Sequence, residues 1–468
     1  MKPRKTIVIV GGGVSGALVA YHLLRREIRA NVILVDPNLR MGLGLAYSTP
    51  SYQHLLNVPA GKISALPEEP LHFLHWLRKN YDAHATESDF APRAVFGRYI
   101  HSLVDSVEGL DHRRTMVLDC QISNGKAILQ LEDGGRVVAD TVVLATGNFD
   151  PAMLAGVDGE AIDRGVYCHS AWVDGTYAGL QPEAAVALIG TGLTAVDVLL
   201  RLREVGHRGP VLALSRHGVF PRRHAAYTQL QGSIFSEPLP MKARELVRGV
   251  HRAIKAGMDW RAVVDSLRAQ TNDLWLALPL EEQKRFHRHL RRRWEVVRHR
   301  MAPPIADRID AELKAGTLVK VRGSLHAVLA ENEGAKVRFR DERGELKDFS
   351  AARVINCTGP NMNYRRVGSS LFESLFAQGA MVPGPLGAGL WSDAAGALRD
   401  REGNFSDILF HVGPGRQGTL IESIAVPELR EQAADLANLL IERLASRKHR
   451  TAKASSTTGV VKSYELAS

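Results

Sequence analysis

Cysteine is scarce in this chain. Its 468 residues include three, Cys120, Cys168 and Cys357, scattered and with no Cys-x-x-Cys pair. That spacing excludes a redox-active disulfide, a disulfide-stapled scaffold and a thiolate zinc site. It suits a reducing compartment, and a cytoplasmic location is expected. Aromatic residues are also few, at 6%, and nothing resembles the aromatic-plus-basic array of single-strand binders. Nucleic acid is therefore not an expected partner. No run of about 18 apolar residues occurs, so no membrane span is expected. Lys2, Arg4 and Lys5 precede an apolar run, but glycines break that run too soon for a signal peptide. No His-x-x-x-His spacing is convincing as a metal site.

What is present is an ordinary globular composition, 45% hydrophobic and 24% charged, long enough for two or three domains. The net charge of +10 is either a solvated arginine surface or an attraction for anionic ligands.

The most informative stretch is the first. Thr6 to Val10 is a β-branched, apolar run that meets Gly11-Gly12-Gly13-Val14-Ser15-Gly16. A helical pattern follows over Ala17 to Arg26, and a second strand, Asn31 to Val35, ends in Asp36. Strand, glycine turn, helix, strand and acid together are the context of a dinucleotide fingerprint. Gly11 makes the tight turn, Gly13 admits the pyrophosphate and Gly16 lets helix and strand pack closely. The helix start, with Ser15 in its first turn, offers N–H groups to phosphate. Asp36 can accept from a ribose hydroxyl.

The segment from Gly42 to Leu66 is glycine-rich and aperiodic, so it is read as a long loop leaving the carboxyl edge of the sheet. Its polar members His54 and Asn57, with Val58 beside them, are the candidates to touch a ligand; each alone also reads as an ordinary loop hydrogen-bonder. Helices are expected over 70–80 and up to about Val107. Residues 116–140 alternate as strands around the turns Asn124-Gly125 and Asp133-Gly134-Gly135. They return through Thr141 to Leu144 and then Ala145-Thr146-Gly147.

The pattern then repeats. The strand Ala184 to Ile189 meets Gly190-Thr191-Gly192-Leu193-Thr194-Ala195, and a helix runs from Val196 to Val205. The next strand, Pro210 to Leu214, ends in Ser215-Arg216 instead of an acid. An acid there favours a free ribose hydroxyl, whereas arginine attracts a 2′-phosphate. The second site is thus expected to take NADPH, with Gly190, Gly192, Thr194 and Arg216 as contacts and Arg222 and Arg223 in reserve. Strands over 318–349 lead to a second return, Asn356-Cys357-Thr358-Gly359.

Residues 236–315 read as helices: Lys242 to Ile254, Trp260 to Ala269, Glu281 to Arg300 and Ala306 to Ala315. The third is densely basic, and most of it reads as a solvated face. At its end Arg298 and Arg300 are candidates for a substrate carboxylate or a cofactor phosphate. Further on, Asp407 to Gly413 feeds a helix expected from about Leu420, with Glu422 as its cap. Gly413, Gly418 and Thr419 are expected at the first cofactor. Residues 446–468 read as a disordered tail.

Three segments carry a family resemblance: Gly-Leu-Gly-Leu-Ala-Tyr-Ser with Leu-Leu-Asn-Val-Pro-Ala, Trp-Glu-Val-Val-Arg-His-Arg-Met-Ala-Pro, and Ile-Glu-Ser-Ile-Ala-Val-Pro-Glu-Leu. Together the chain, to about residue 440, resembles the bacterial FAD/NAD(P)-binding family, which includes flavin monooxygenases that N-hydroxylate small amines, such as the nitrosuccinate-forming aspartate N-monooxygenase. More distantly it is similar to flavin-containing monooxygenases and to ornithine and lysine N-hydroxylases.

The resemblance implies an α/β fold with two Rossmann-like domains: a glutathione-reductase-like FAD domain over 1–150 and 360–445, and an inserted NAD(P)H domain over 151–235 and 316–359. A helical insert over 236–315 completes it. The implied cofactors are FAD and NADPH. The implied activity is NADPH-dependent oxygenation of a small amine-type substrate by O2 through a C4a-peroxyflavin, with Asn57 and His54 beside the flavin. Gly413-Pro414 departs from the Gly-Asp that often contacts the FAD ribityl chain. A dehydrogenase passing electrons to a quinone or protein, and a flavin-binding sensor without catalysis, stay open. The oligomeric state is not legible.

Overall fold

The computed structural model of the chain describes residues 4–26 and 28–455. Two large sheets dominate it. The first has six strands in the order Ala397–Arg399, Phe405–His411, Thr141–Leu144, Lys5–Val10, Ala30–Val35 and Leu110–Arg113. All neighbours run parallel except the outer pair 397–399 and 405–411. Ile7, Val8 and Ile9 are at most 2% exposed. A strand covered on both faces is apolar at every position instead of alternating. Each such side chain contributes about 1.5–3 kcal/mol of transfer free energy.

The register decides where a site can form. Val10 pairs with Val35 and with Leu144, and Leu144 pairs with His411. The carboxyl ends of four strands therefore stop at one level. Gly11, Asp36, Ala145 and Val412 follow them onto the same edge. Helix Val14–Leu24 covers one face, backed by helices Arg93–Asp105 and Val426–Ser455. The antiparallel sheet Val117–Ser123, Lys126–Leu131 and Arg136–Ala139 covers the other, with helix Ser370–Ala377.

The second sheet has seven strands in the order Leu346–Ala351, Gly334–Asp341, Leu318–Glu331, Val211–Ser215, Val186–Ile189, Arg353–Asn356 and Tyr167–Cys168. The long strand Leu318–Glu331 serves twice. Its first part pairs parallel with Val211–Ser215, and its second pairs antiparallel with Gly334–Asp341. Helix Leu193–Glu204 crosses from Val186–Ile189 to Val211–Ser215 and repeats the first βαβ unit.

Several elements differ from the sequence expectation. The edge strand Leu110–Arg113 and the short helix Thr271–Leu276 have no strong period and were not anticipated. The basic helix expected over Glu281 to Arg300 is two, Leu280–His289 and Arg291–Arg298, broken at Leu290 with φ −120° and ψ −25°. Like charges at i,i+3 and i,i+4 spacing oppose one continuous helix there. The helix expected from Leu420 begins instead at Val426. Pro427 explains this, since proline is tolerated in a first helical turn but not in an interior. Residues 446–455 continue that helix, and the rest of the expected tail, 456–468, lies outside the described residues. Among the described residues no helix is long and apolar enough to cross a membrane.

Two core histidines make the fold acid-sensitive. His22 and His411 are fully buried, and among the described residues no ring nitrogen of either has a partner. Burial, then Arg25, pushes His22 down to about 4; burial, then Arg416, pushes His411 down to about 3. Both stay neutral in the fold while their unfolded forms take up a proton below about pH 6.5. Their folded pKa values are depressed, so stability is intact above that pH and falls below it, toward the folded values. Between about pH 7.5 and about pH 5, each should cost about 2 kcal/mol of unfolding free energy, and a His411→Leu variant should flatten the fall. Urea midpoints at the two pH values test this; equal midpoints would contradict it.

Candidate dinucleotide and substrate sites

Gly11 leaves its strand with φ +104°, a region open in practice to glycine alone. A Cβ on it would overlap the Ala145 carbonyl oxygen, and one on Gly16 would overlap the Gly11 carbonyl oxygen. Gly13 is different: only the Gly44 Cα, at 3.5 Å, lies near its Cβ position. It caps helix Val14–Leu24 without a side-chain bond, and no acid stands in the first turn. The first N–H groups of that helix are thus free for an anion. Asp36 accepts from the Gly12 N–H at 2.6 Å and from the Asn38 N–H at 2.8 Å, which pins its carboxylate against the turn.

These residues border a cavity of about 440 Å³, walled on its other side by Ala145, Thr146, Gly147 and Asn148. The Thr146 hydroxyl is buried there without a partner among the described residues. An orphaned hydroxyl, a glycine floor and a carboxylate at the second strand end fit the phosphates and ribose of a dinucleotide. Ser15 faces the last strand's end: a Cβ on Gly413 would lie 2.8 Å from the Ser15 hydroxyl oxygen, which explains the glycine at 413.

The long loop after Asp36 ties the two sheets together. His54 is 2% exposed, with Nδ1 2.7 Å from the Thr49 hydroxyl and Nε2 2.9 Å from the Asp197 carbonyl. Burial holds its pKa below the usual histidine value. With both nitrogens engaged it acts as a strut, which differs from the role beside a flavin expected from the sequence. Arg93 grips both Asp197 oxygens at 2.7 and 3.2 Å and donates to the Leu55 carbonyl at 3.2 Å. Asp197 belongs to helix Leu193–Glu204, so the loop is bolted to the second βαβ unit. His224 donates to the Asn57 backbone carbonyl at 3.0 Å. The Asn57 side-chain amide, half-buried, makes no bond to the described residues, whereas Val58 is 6% exposed and packs into the core.

The second turn repeats the first. Gly190 has φ +129°, and a Cβ there would overlap the Cys357 carbonyl oxygen; Gly192 has open space. Gly192 caps helix Leu193–Glu204, whose first turn holds Thr194 and no acid. Arg292, from the helical insert, donates to the Val219 carbonyl at 2.7 Å and to the Thr191 carbonyl at 3.2 Å. At the next strand's end Arg216 is exposed and has no ion pair among the described residues. His217 is held below its usual pKa by desolvation and then by Arg216, Arg292, Arg322 and Arg293. Four guanidiniums thus act on the ring at this strand's end, two of them with protein partners: Arg292 holds the carbonyls above, and Arg322 stands 3.9 Å from Glu342. Arg223 is engaged by Asp307.

A buried charge cluster joins the loop to the insert. Arg300 is fully buried, pairs with Asp265, and lies 5.7 Å over the Trp260 ring and 6.0 Å over the Tyr227 ring. Asp265 also takes the Tyr227 hydroxyl and stands 3.6 Å from Arg268. The Lys62 ammonium lies 6.0 Å over the Tyr227 ring. Burial lowers the Lys62 pKa and Arg268 and Arg300 lower it further, while Asp265 opposes them. Two arginines therefore pair with one carboxylate while the exposed Lys62 stands near them, and among the described residues Nε and Nη1 of Arg300 are buried without partners. Arg298 is different. Glu428 at 2.8 Å and Glu422 at 3.7 Å neutralise it, which makes it a structural cation. Of this cluster the sequence pointed to Arg300 alone; the one further signal was Lys62, in the same loop as Asn57.

Near the C-terminus, Glu422 is not a helix cap. It accepts from the Trp294 indole at 2.8 Å, and its N–H donates to Asn272 at 3.0 Å. The Trp275 indole donates to the Thr419 carbonyl at 3.1 Å, so this segment is stapled to the insert. The Thr419 hydroxyl is occupied by the Ser392 backbone, and Gly418 is wedged against the Leu390 backbone. Of the three C-terminal residues expected at the first cofactor, only Gly413 stands against the first glycine turn; its N–H goes to Gln432 at 3.1 Å and its carbonyl accepts from the Ser423 hydroxyl at 2.7 Å.

Comparison with known proteins agrees with this geometry. Residues 8–149 match the FAD-NAD(P)-binding family model, so the chain carries such a domain. A stretch of 242 residues is 24% identical to the uncharacterised protein YdhS of Escherichia coli strain K12, covering 47% of this chain and 43% of that protein. The match thus spans less than half of that relative's length. Among solved structures, L-lysine 6-monooxygenase of Pseudomonas syringae aligns at a TM-score of 0.66 and 14% identity, over 94% of this chain and all of that one. The desferrioxamine-pathway cadaverine monooxygenase of Erwinia amylovora, bound to FAD, aligns at 0.65 and 13% identity, over 95% of each chain. The ornithine N-hydroxylase of Kutzneria sp. 744, with reduced FAD, NADP+ and L-ornithine, aligns at 0.63 and 15% identity, over 95% of this chain and 100% of that one. These likenesses establish a two-dinucleotide flavoprotein fold.

Proposed function

We propose that the chain is an FAD-dependent, NADPH-using monooxygenase that transfers oxygen from O2 to a small amine-type substrate. The observation that carries this reading is the pair of glycine cradles tied by one loop, the loop holding the free Asn57 amide, with no dithiol to receive electrons. Cys120 and Cys357 are buried thiols, and Cys120 is pushed up to about 12 by burial.

In this reading residues 1–150 and 360–445 hold FAD, residues 151–235 and 316–359 hold NADPH, and the insert 236–315 closes over the substrate. The glycine turn at 11–16, Asp36 and Thr146 would hold the FAD diphosphate and ribose. Gly190, Gly192 and Thr194 would hold the second diphosphate, and Arg216 the 2′-phosphate. Bound FAD supplies hydride acceptance from NADPH and subsequent reaction with O2. The Asn57 amide would donate toward that centre. Lys62, Arg268 and Arg300, short of one or two counter-charges, would seat an anionic group of the substrate and leave its amine facing the flavin.

A stopped-flow experiment tests this. The FAD-loaded chain is reduced with NADPH and mixed with O2. Return of oxidised-flavin absorbance only after a resolved lag supports oxygenation; immediate return favours a dehydrogenase serving another acceptor, and no bleaching by NADPH favours a sensor. Arg216 has its own test. Replacing it with glutamate should lower kcat/KM for NADPH about 10- to 100-fold, the size of a charged hydrogen bond, and leave NADH within about twofold. Unchanged selectivity would remove Arg216 from that role.

A further inference from the structure

A cavity of about 800 Å³ opens inside the helical insert, apart from both glycine turns. Its volume lies within the range of pockets that bury a whole small ligand. One wall is helix Ala243–Lys255, which presents Leu246, Val247, Val250 and Ile254 to the space. Only Ala243 and Ala253 of that helix are buried. Its apolar stripe thus faces an opening and not a protein core. Trp260, Trp275, Phe286 and Trp294 line it as well, with Met301, Ile309 and Leu313. Three of the six tryptophans of the chain stand there.

The mouth has a different chemistry. Arg222, Arg293 and Lys320 reach it, all exposed and none with an ion pair among the described residues. Asp310 is the carboxylate of the lining. An apolar interior that is costly to leave facing water, beneath a positive rim, matches a ligand with an alkyl tail and an anionic head. A dinucleotide does not fit, because its two ends are both polar. A bare anion would leave the aromatic wall without a partner.

We propose that this cavity binds a single-chain anionic amphiphile, a fatty-acid-type carboxylate, with its chain between helix 243–255 and the tryptophans and its head at Arg222, Arg293 and Lys320. The site borders the groups discussed above, sharing Arg293 with the guanidiniums near His217 and Trp260 with Arg300, but none of its lining residues belongs to a glycine turn.

The test uses the full chain loaded with FAD and titrates dodecanoate below its micelle range, read by calorimetry and by tryptophan fluorescence. Binding should saturate at one ligand per chain. Shortening toward octanoate should weaken it about three- to fourfold per methylene, the size of the transfer free energy of that group. Dodecylammonium, with the opposite head charge, should bind at least about tenfold more weakly. Val250→Glu places a charge on the apolar wall and should cost about tenfold or more in dodecanoate affinity. NADPH-driven flavin bleaching, which does not involve Val250, should persist in that variant and shows that it is folded. Arg293→Glu with Lys320→Glu should narrow or reverse the preference between the two head groups. Absence of saturable binding to the unaltered chain overturns the proposal. So does equal binding of the two head charges, or equal affinity in Val250→Glu. If the chain instead forms dimers that Val250→Glu dissociates, with no dodecanoate bound, the apolar wall is an interface between copies and the proposal falls.

Discussion

Gly16→Ala chain purifies without flavin and melts well below the unaltered protein, whereas Gly13→Ala chain melts normally and also lacks flavin. These expected results come from two neighbours in one turn. A methyl group on Gly16 meets the Gly11 carbonyl oxygen inside a closed helix–strand contact. Backbone must move to admit it, and overpacking of this kind costs about 1–3 kcal/mol or more. The movement displaces Gly11, whose φ of +104° shapes the whole turn. At Gly13 the added methyl meets nothing closer than the Gly44 Cα at 3.5 Å. It therefore leaves folding intact and occupies only the space in front of the helix N-terminus, where phosphate would lie. The measurements are flavin absorbance per mole of protein and a melting curve for each variant. Flavin retained at full occupancy by Gly13→Ala would mean that the first cradle does not bring its backbone against a phosphate.

Asp265→Ala should be the most damaging single change in the helical insert, at about 3–5 kcal/mol, the cost of leaving buried charge uncompensated. Asp265 is the shared partner of Arg300, Arg268 and the Tyr227 hydroxyl. Burial would raise its pKa, but the Tyr227 bond and then Arg300, Arg268 and Lys62 outweigh it and hold the carboxyl low. A depressed carboxylate contributes stability above its unfolded pKa and loses it as pH falls through the folded one. Asp265→Asn keeps an acceptor for Arg300 but not the charge, and should lose roughly half as much. Chemical denaturation of the three proteins at neutral pH measures both steps. Equal stability of Asp265→Ala and the unaltered chain would show that the cations are already satisfied by water, and would weaken the anion seat assigned to Lys62, Arg268 and Arg300.

The architecture was readable where local rules and global fold coincide. The first βαβ unit announced itself because one strand must be apolar throughout and its turn must be glycine, and both demands act on adjacent residues. The same held for Gly190 and Gly192. The charge cluster was not readable, because Lys62, Tyr227, Asp265, Arg268 and Arg300 come from four separate segments and share no period. His54 misled for a related reason. A polar residue in a ligand-side loop looks the same in sequence whether it faces a ligand or a helix carbonyl. The helix expected at Leu420 is a different failure, since Pro427 was in plain view and restricts where a helix can start.

The bolts between the loop and helix 193–204 bear on traffic. Arg93 with both oxygens of Asp197, His54 with the Asp197 carbonyl, and His224 with the Asn57 carbonyl all span the seam between the two sheets. To swing the halves apart would break every one of these together. A frame so riveted favours turnover with the two halves held in fixed register, the loop around Asn57 staying in place from one cycle to the next.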